Sequence, residues 1–192
     1  LKFDVIPHPE QIEHALALKK QLTQQVQIIC AASTRDGEES LIIEAWQKFI
    51  KSKENTSDAN HFCLFIVPRH PQRFEDVFSQ LQSSFANVSR RSTMTDLDLS
   101  EAITHGAVIL GDSMGEMNFY YALSDIVIMG GSLLPLGGQN FIEACALGRP
   151  IILGEHTFNF QQASADVIDS RAAIRIADID DLVKAMQDDY WQ

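Results

Sequence analysis

DIVIMGGSLLPLGGQNFIEACALGRPIILGE, residues 125–155, holds one complete unit of the fold. Its opening run, DIVIMGG, is apolar and β-branched with no polar alternation, the mark of a strand buried on both faces. A Gly- and Pro-rich turn stops it, NFIEACALG follows with helical spacing, and PIILGE reads as a second buried strand. Two strands joined through a helix run parallel, since the crossover carries the chain back to its starting edge.

The same unit recurs on either side. PEQIEHALALKKQL predicts a helix before the strand QVQIICAAS, and EESLIIEAWQKFIKSK one before HFCLFIVP. QRFEDVFSQLQSSF leads through NVSRRS to AVILG, and MGEMNFYYAL leads into DIVIMGG. FQQASADVIDS precedes AAIRIAD, and IDDLVKAMQDDY closes the chain as a helix. KENTSDAN reads as a solvated loop and STMTDLDLSEAI as an irregular connection of low helical content. The expected fold is α/β: a doubly wound parallel sheet with helices on both faces, in a single domain spanning residues 1–192.

Bulk properties narrow the function. A chain of 192 residues, 45% hydrophobic, has the material for one full core. Its 26 acidic against 15 basic residues, net charge −11, argue against a surface built to grip nucleic acid or anionic lipid. No apolar run reaches the ~20 residues of a membrane span, and LKFDVIPHPEQIEH lacks the basic and apolar regions of a signal peptide, so the chain reads as soluble. Cys30, Cys63 and Cys145 each sit in an apolar run without ligand spacing, and read as buried reduced thiols of a cytoplasmic protein.

In an open parallel sheet the ligand crevice lies beyond the carboxyl ends of the strands. Every distinctive polar or glycine cluster here follows a predicted strand: STRDGEE, PRHPQR, GDSMGE, GGSLLPLGGQN and GEHTFNF. Ser33 and Thr34 precede a helix whose first amides suit an anion, or they cap that helix with Glu38 and Glu39 complementing its dipole. A nicotinamide fingerprint is excluded, because Gly37 is the only glycine at this turn. In PRHPQRF, prolines bracket Arg69 and His70, and Arg73 follows. That arrangement either holds a guanidinium toward a phosphate or starts a helix with solvated basic residues. Gly115 allows close approach of a ligand to the amides of Met114 to Glu116, while Ser113 and Glu116 also fit a capping box. Asn140 and Glu143 fit N-cap and N3 positions equally well. The alternative is that Gly137 and Gly138 leave room for a nucleotide, Asn140 binds a polar ligand group and Glu143 accepts from a ribose diol. Phe119, Tyr120 and Tyr121 read as core packing, and HTFNF as a structural loop.

Taken in order, AASTRDGEE, PRHPQRF, GDSMGE, DIVIMGGSLLPLGGQNFIEA and GEHTFNF resemble the nucleotide-binding half of the bacterial 3-deoxy-D-manno-octulosonic acid (Kdo) transferases. These are two-domain GT-B glycosyltransferases, and the resemblance implies a Rossmann-like C-terminal half with the N-terminal acceptor domain absent. It also implies CMP-Kdo as donor, a lipid A precursor as acceptor, and inversion without metal or cofactor. The parent enzyme would work at the cytoplasmic face of the inner membrane, touching it only through the missing domain. CMP contacts would fall on Pro68, Arg69 and His70, on Met114, Gly115 and Glu116, and on Asn140 through Glu143. Ser33 and Thr34 would lie near the phosphate, with Arg69 stabilising it as it leaves. Arg35-Asp36 and Gln139 stand where the family usually has histidine. The fragment is expected to bind CMP without transferring sugar alone. A UDP-sugar GT-B transferase or epimerase domain, and a non-catalytic flavodoxin-like binding module, are the alternatives.

Overall fold

The computed structural model describes residues 8–23, 25–54 and 62–187. Helices α1 (Pro9–Gln21), α2 (Glu38–Lys53), α3 (Phe74–Ser84) and α4 (Asp96–Thr104) alternate with strands β1 (Gln27–Thr34), β2 (Phe62–Pro68) and β3 (Val88–Arg90). The second half continues with β4 (Val108–Leu110), α5 (Met117–Leu123), β5 (Ile126–Met129), α6 (Ile142–Ala146) and β6 (Ile151–Leu153). It ends with α7 (Gln161–Asp169), β7 (Ala173–Arg175) and α8 (Ile179–Ala185). The strands form one parallel sheet in the order β3-β4-β2-β1-β5-β6-β7.

Alternation along each strand divides the core in two. Ile28, Cys30 and Ala32 of β1 face one cluster with Phe119, Tyr120 and Leu123 of α5 and Leu18 of α1. Ile29 and Ala31 face the other, built from Trp46 and Phe49 of α2, Val77 and Leu81 of α3, and Leu182 of α8. Burying each large side chain contributes roughly 1.5–3 kcal/mol, so two covered faces supply the driving force that a one-sided sheet would lack. Helix α1 is fastened at its far end by Lys19, which pairs with Asp125 and donates to the Leu123 carbonyl at 3.2 Å.

Three local expectations are corrected. STMTDLDLSEAI is not irregular: α4 forms there because Thr95 and Asp98 make a reciprocal capping box while Leu99 and Ile103 bury. An Asp in place of the usual Glu or Gln disguised the box. VSR, within NVSRRS, is a half-buried edge strand, recruited by pairing with β4 rather than by its own hydrophobicity. Cys30 and Cys63 are buried, but Cys145 is only partly so. Most of the KENTSDAN loop, and the DDY end of the closing helix, lie outside the described residues.

Candidate functional site at the switch of the sheet

The winding reverses at β1, which leads to β2, β4 and β3 on one side and is flanked by β5 on the other. In such sheets the loops leaving the two central strands part to opposite faces and open a crevice. Ser33 leaves β1 with φ of +55°, where the register with β2 shifts between Ala32 and Thr34. A left-handed residue with a side chain costs about 1–2 kcal/mol, and such outliers concentrate at functional sites. The Ser33 carbonyl oxygen lies 2.3 Å from where a Cβ on Gly130 would stand, so the exit of β5 must be glycine. Gly154, after β6, is held the same way by the Ser132 carbonyl oxygen, 2.1 Å from its Cβ position.

Thr34 is buried, and its hydroxyl donates to Glu39 Oε1 at 2.7 Å. Its expected place beside a phosphate therefore belongs to a residue already committed to the turn. The Thr34 carbonyl accepts the Arg69 N–H at 2.9 Å, which aligns the loop after β2 with the end of β1. Pro68 is the buried last residue of β2, and Arg69 and His70 emerge exposed. The two arginines of this motif then diverge. Arg73 is bound to Glu39 at 2.5 Å and to Asp36 at 3.1 Å, whereas Arg69 enters no ion pair among the described residues.

Tyr121 is buried in α5. Burial pushes its phenol up, Cys30 and Glu143 add to that, and Arg69 opposes it. Its ring is packed in the core, as its sequence suggests.

At the exit of β4, Gly115 has φ of +77° with open space at its Cβ position, and Met114 is 60% exposed. The expected capping box is absent, because α5 starts at Met117 with no side-chain cap. Ser113 instead donates to the Glu116 carboxylate and accepts from the Tyr120 phenol at 2.5 Å, while Arg91 donates to Glu116 at 3.4 Å. Asp112 anchors the neighbouring strand exits by accepting from Ser92 N–H at 2.8 Å, Ser92 Oγ at 2.6 Å and Arg90 Nε at 2.8 Å. Burial opposes its charge, but these donors outweigh burial and hold its carboxyl below the usual carboxylate range.

At the exit of β5 only half of the expected cap forms. Asn140 Oδ1 accepts the Ile142 N–H at 3.0 Å, but Glu143 does not return to Asn140 and instead accepts from Asn118 at 3.4 Å. Gly137 is crowded on its Cβ side, whereas Gly138 is in ordinary contact. A Cβ on Gly137 would meet Asn159 Nδ2 at 2.2 Å, and one on Gly138 would meet Phe160 at 3.4 Å. The glycines pack this loop against HTFNF, whose Phe160 ring lies 5.9 Å from that of Phe141. A separate cavity of about 390 Å³, lined by Leu41, Leu133, His156, Ile176 and Leu182, lies between α2, α8 and the exits of β6 and β7.

Among the described residues, seven parallel strands whose order switches between β1 and β5, with helices packed on both faces, define the class: a doubly wound α/β domain. The chain belongs to the Kdo transferase family. It is 43% identical to the 3-deoxy-D-manno-octulosonic acid transferase of Bordetella pertussis over 93% of its length, and 34% identical to that of Haemophilus influenzae over 92%. It spans 40% and 39% of those two proteins. Among solved structures it matches the C-terminal CMP-Kdo binding domain of WaaA from Acinetobacter baumannii, with a TM-score of 0.80 and 34% identity, covering 93% of this chain and 88% of that one. No protein-family model matches. Among the described residues, no helix is long and apolar enough to cross a membrane.

Proposed function

We propose that this chain is the donor-binding domain of a glycosyltransferase that moves Kdo from CMP-Kdo to a lipid A precursor. The observation that carries the reading is the placement of Arg69 at the exit of β2 beside the switch of the sheet, exposed, in no ion pair among the described residues and fixed through its N–H by the Thr34 carbonyl at 2.9 Å, in a chain whose fold matches a relative's CMP-Kdo binding domain. Arg69 and His70 take the phosphate side, with Ser33 beside them and Thr34 supporting the turn through its carbonyl. Met114, Gly115 and Glu116 offer backbone groups to the nucleotide, Asn140 a polar contact, and Glu143 accepts from the ribose hydroxyls. Pro68 fixes the direction in which the chain delivers Arg69.

Cleavage of the bond between Kdo and phosphate leaves negative charge on CMP. A guanidinium already in place stabilises that charge more as it develops than before, which lowers the barrier. Attack by an acceptor hydroxyl on the opposite face inverts the anomeric centre. On this reading the general base, the acceptor site and the contact with the inner membrane's cytoplasmic face belong to an N-terminal domain, and residues 1–192 alone bind CMP without turnover.

Calorimetric titration with CMP, UMP and UDP tests the assignment. CMP binding tighter than both uridine nucleotides supports it. A preference for UDP favours a UDP-sugar enzyme, and no binding of any of the three removes the nucleotide reading.

A further inference from the structure

Glu38, the first residue of α2, has its side chain fully buried at 0% exposure. Its Oε2 accepts the Arg35 N–H at 2.8 Å and the Gly131 N–H at 2.7 Å, and its Oε1 accepts the Leu133 N–H at 3.0 Å. Arg35 lies in the turn leaving β1, while Gly131 and Leu133 lie in the loop leaving β5. One carboxylate therefore ties together the two loops that part at the switch of the sheet, across a sequence separation of 93 residues. Gly131 has φ of +71°, outside any ladder, so this irregular backbone takes its order from the Glu38 side chain. The neighbouring Glu39 serves the other flank, holding Thr34 and Arg73.

We infer that Glu38 is a positioning residue for the CMP site, setting the Ser33 turn and the loop toward Asn140 and Glu143 at a fixed separation without touching ligand. The inference rests on the proposed CMP-binding function. Three N–H donors converge on two oxygens, and only a carboxylate accepts on both. Glutamine turns one of those oxygens into a donor, so in either amide orientation at least one backbone N–H faces another N–H. Misplacement then appears as weaker binding rather than merely as a less stable domain.

The test is CMP titration of the 192-residue chain as wild type, Glu38→Gln and Leu81→Ala, with circular dichroism to confirm folding at the titration temperature. Leu81, fully buried in α3, provides a loss of stability by cavity formation away from these loops. Glu38→Gln should weaken CMP at least 10-fold and speed amide exchange at Arg35, Gly131 and Leu133, while Leu81→Ala binds CMP as wild type does. If Glu38→Gln does not fold, Glu38→Asp replaces it, retaining charge and both acceptors but withdrawing them by one methylene, and should weaken CMP several-fold. Wild-type affinity in the folded Glu38 variant overturns the inference while leaving the CMP assignment standing. A wild-type chain that ignores CMP overturns both.

Discussion

Gln11 of α1 grips the Gly115 turn by donating to the Gly115 carbonyl at 2.7 Å, and the same amide accepts the Phe119 N–H at 3.3 Å. A side chain 104 residues upstream thus fixes the peptide of this turn. Neutral hydrogen bonds of this kind contribute about 1 kcal/mol each. Gln11→Ala should weaken CMP binding roughly 3- to 10-fold while lowering the melting temperature only slightly, as calorimetry and thermal denaturation would record. Unchanged CMP affinity would release α1 from any part in the site.

Arg69 and Arg73 share a motif but should fail in different ways. If Arg69 meets the CMP phosphate, Arg69→Ala removes a charge-assisted contact of roughly 1.5–3 kcal/mol, so CMP should weaken about 10- to 100-fold with stability little changed. Arg73→Ala leaves the buried Glu39 carboxylate without its counter-charge, a change that costs about 3–5 kcal/mol in stability. Equal loss of CMP affinity with no loss of stability in Arg73→Ala would reverse these assignments.

If Glu143 accepts from the ribose, the chain should distinguish CMP from 2′-deoxy-CMP. A difference of about 10-fold is expected in the wild type, and Glu143→Ala should bind both nucleotides weakly and alike. A preference that survives the substitution would place the sugar contact elsewhere.

Asp112 makes a prediction in acid. Because its folded carboxyl lies below the usual range, its contribution is complete above the unfolded value near about 4 and disappears as pH falls through the lower folded value. Asp112→Asn should cost about 1–3 kcal/mol in urea denaturation at neutral pH. The gap from wild type should close below about pH 4, and a gap that stayed constant would contradict the ionic origin of the effect.

The fold was legible because β1, β2, β5 and β6 are apolar on both faces and the intervening helices carry their own spacing. What escaped was recruited by neighbours: β3 by its pairing with β4, and α4 by a box written with Asp98. The placement of Arg69 after β2 and of Glu143 in the helix after β5 was also legible, since both follow apolar runs that read as strands. The work of Glu38, Gln11 and Asn118 was not, because apart from Arg35 their partners lie 25 to 108 residues away and no local pattern encodes such contacts. The glycine loop was ambiguous for a related reason. A missing Cβ at Gly137 marks a close approach, and the sequence does not say whether a ligand or Asn159 makes it.

Gly130 and Gly154 overlap the strand exits beside them like roof tiles, with the Ser33 carbonyl over the first and the Ser132 carbonyl over the second. Three loops laid in this way cannot shift singly, because each rests on backbone of the next. The conformational entropy of the crevice rim is therefore surrendered during folding, before any nucleotide arrives. A ligand meeting such a rim keeps more of its contact energy as affinity.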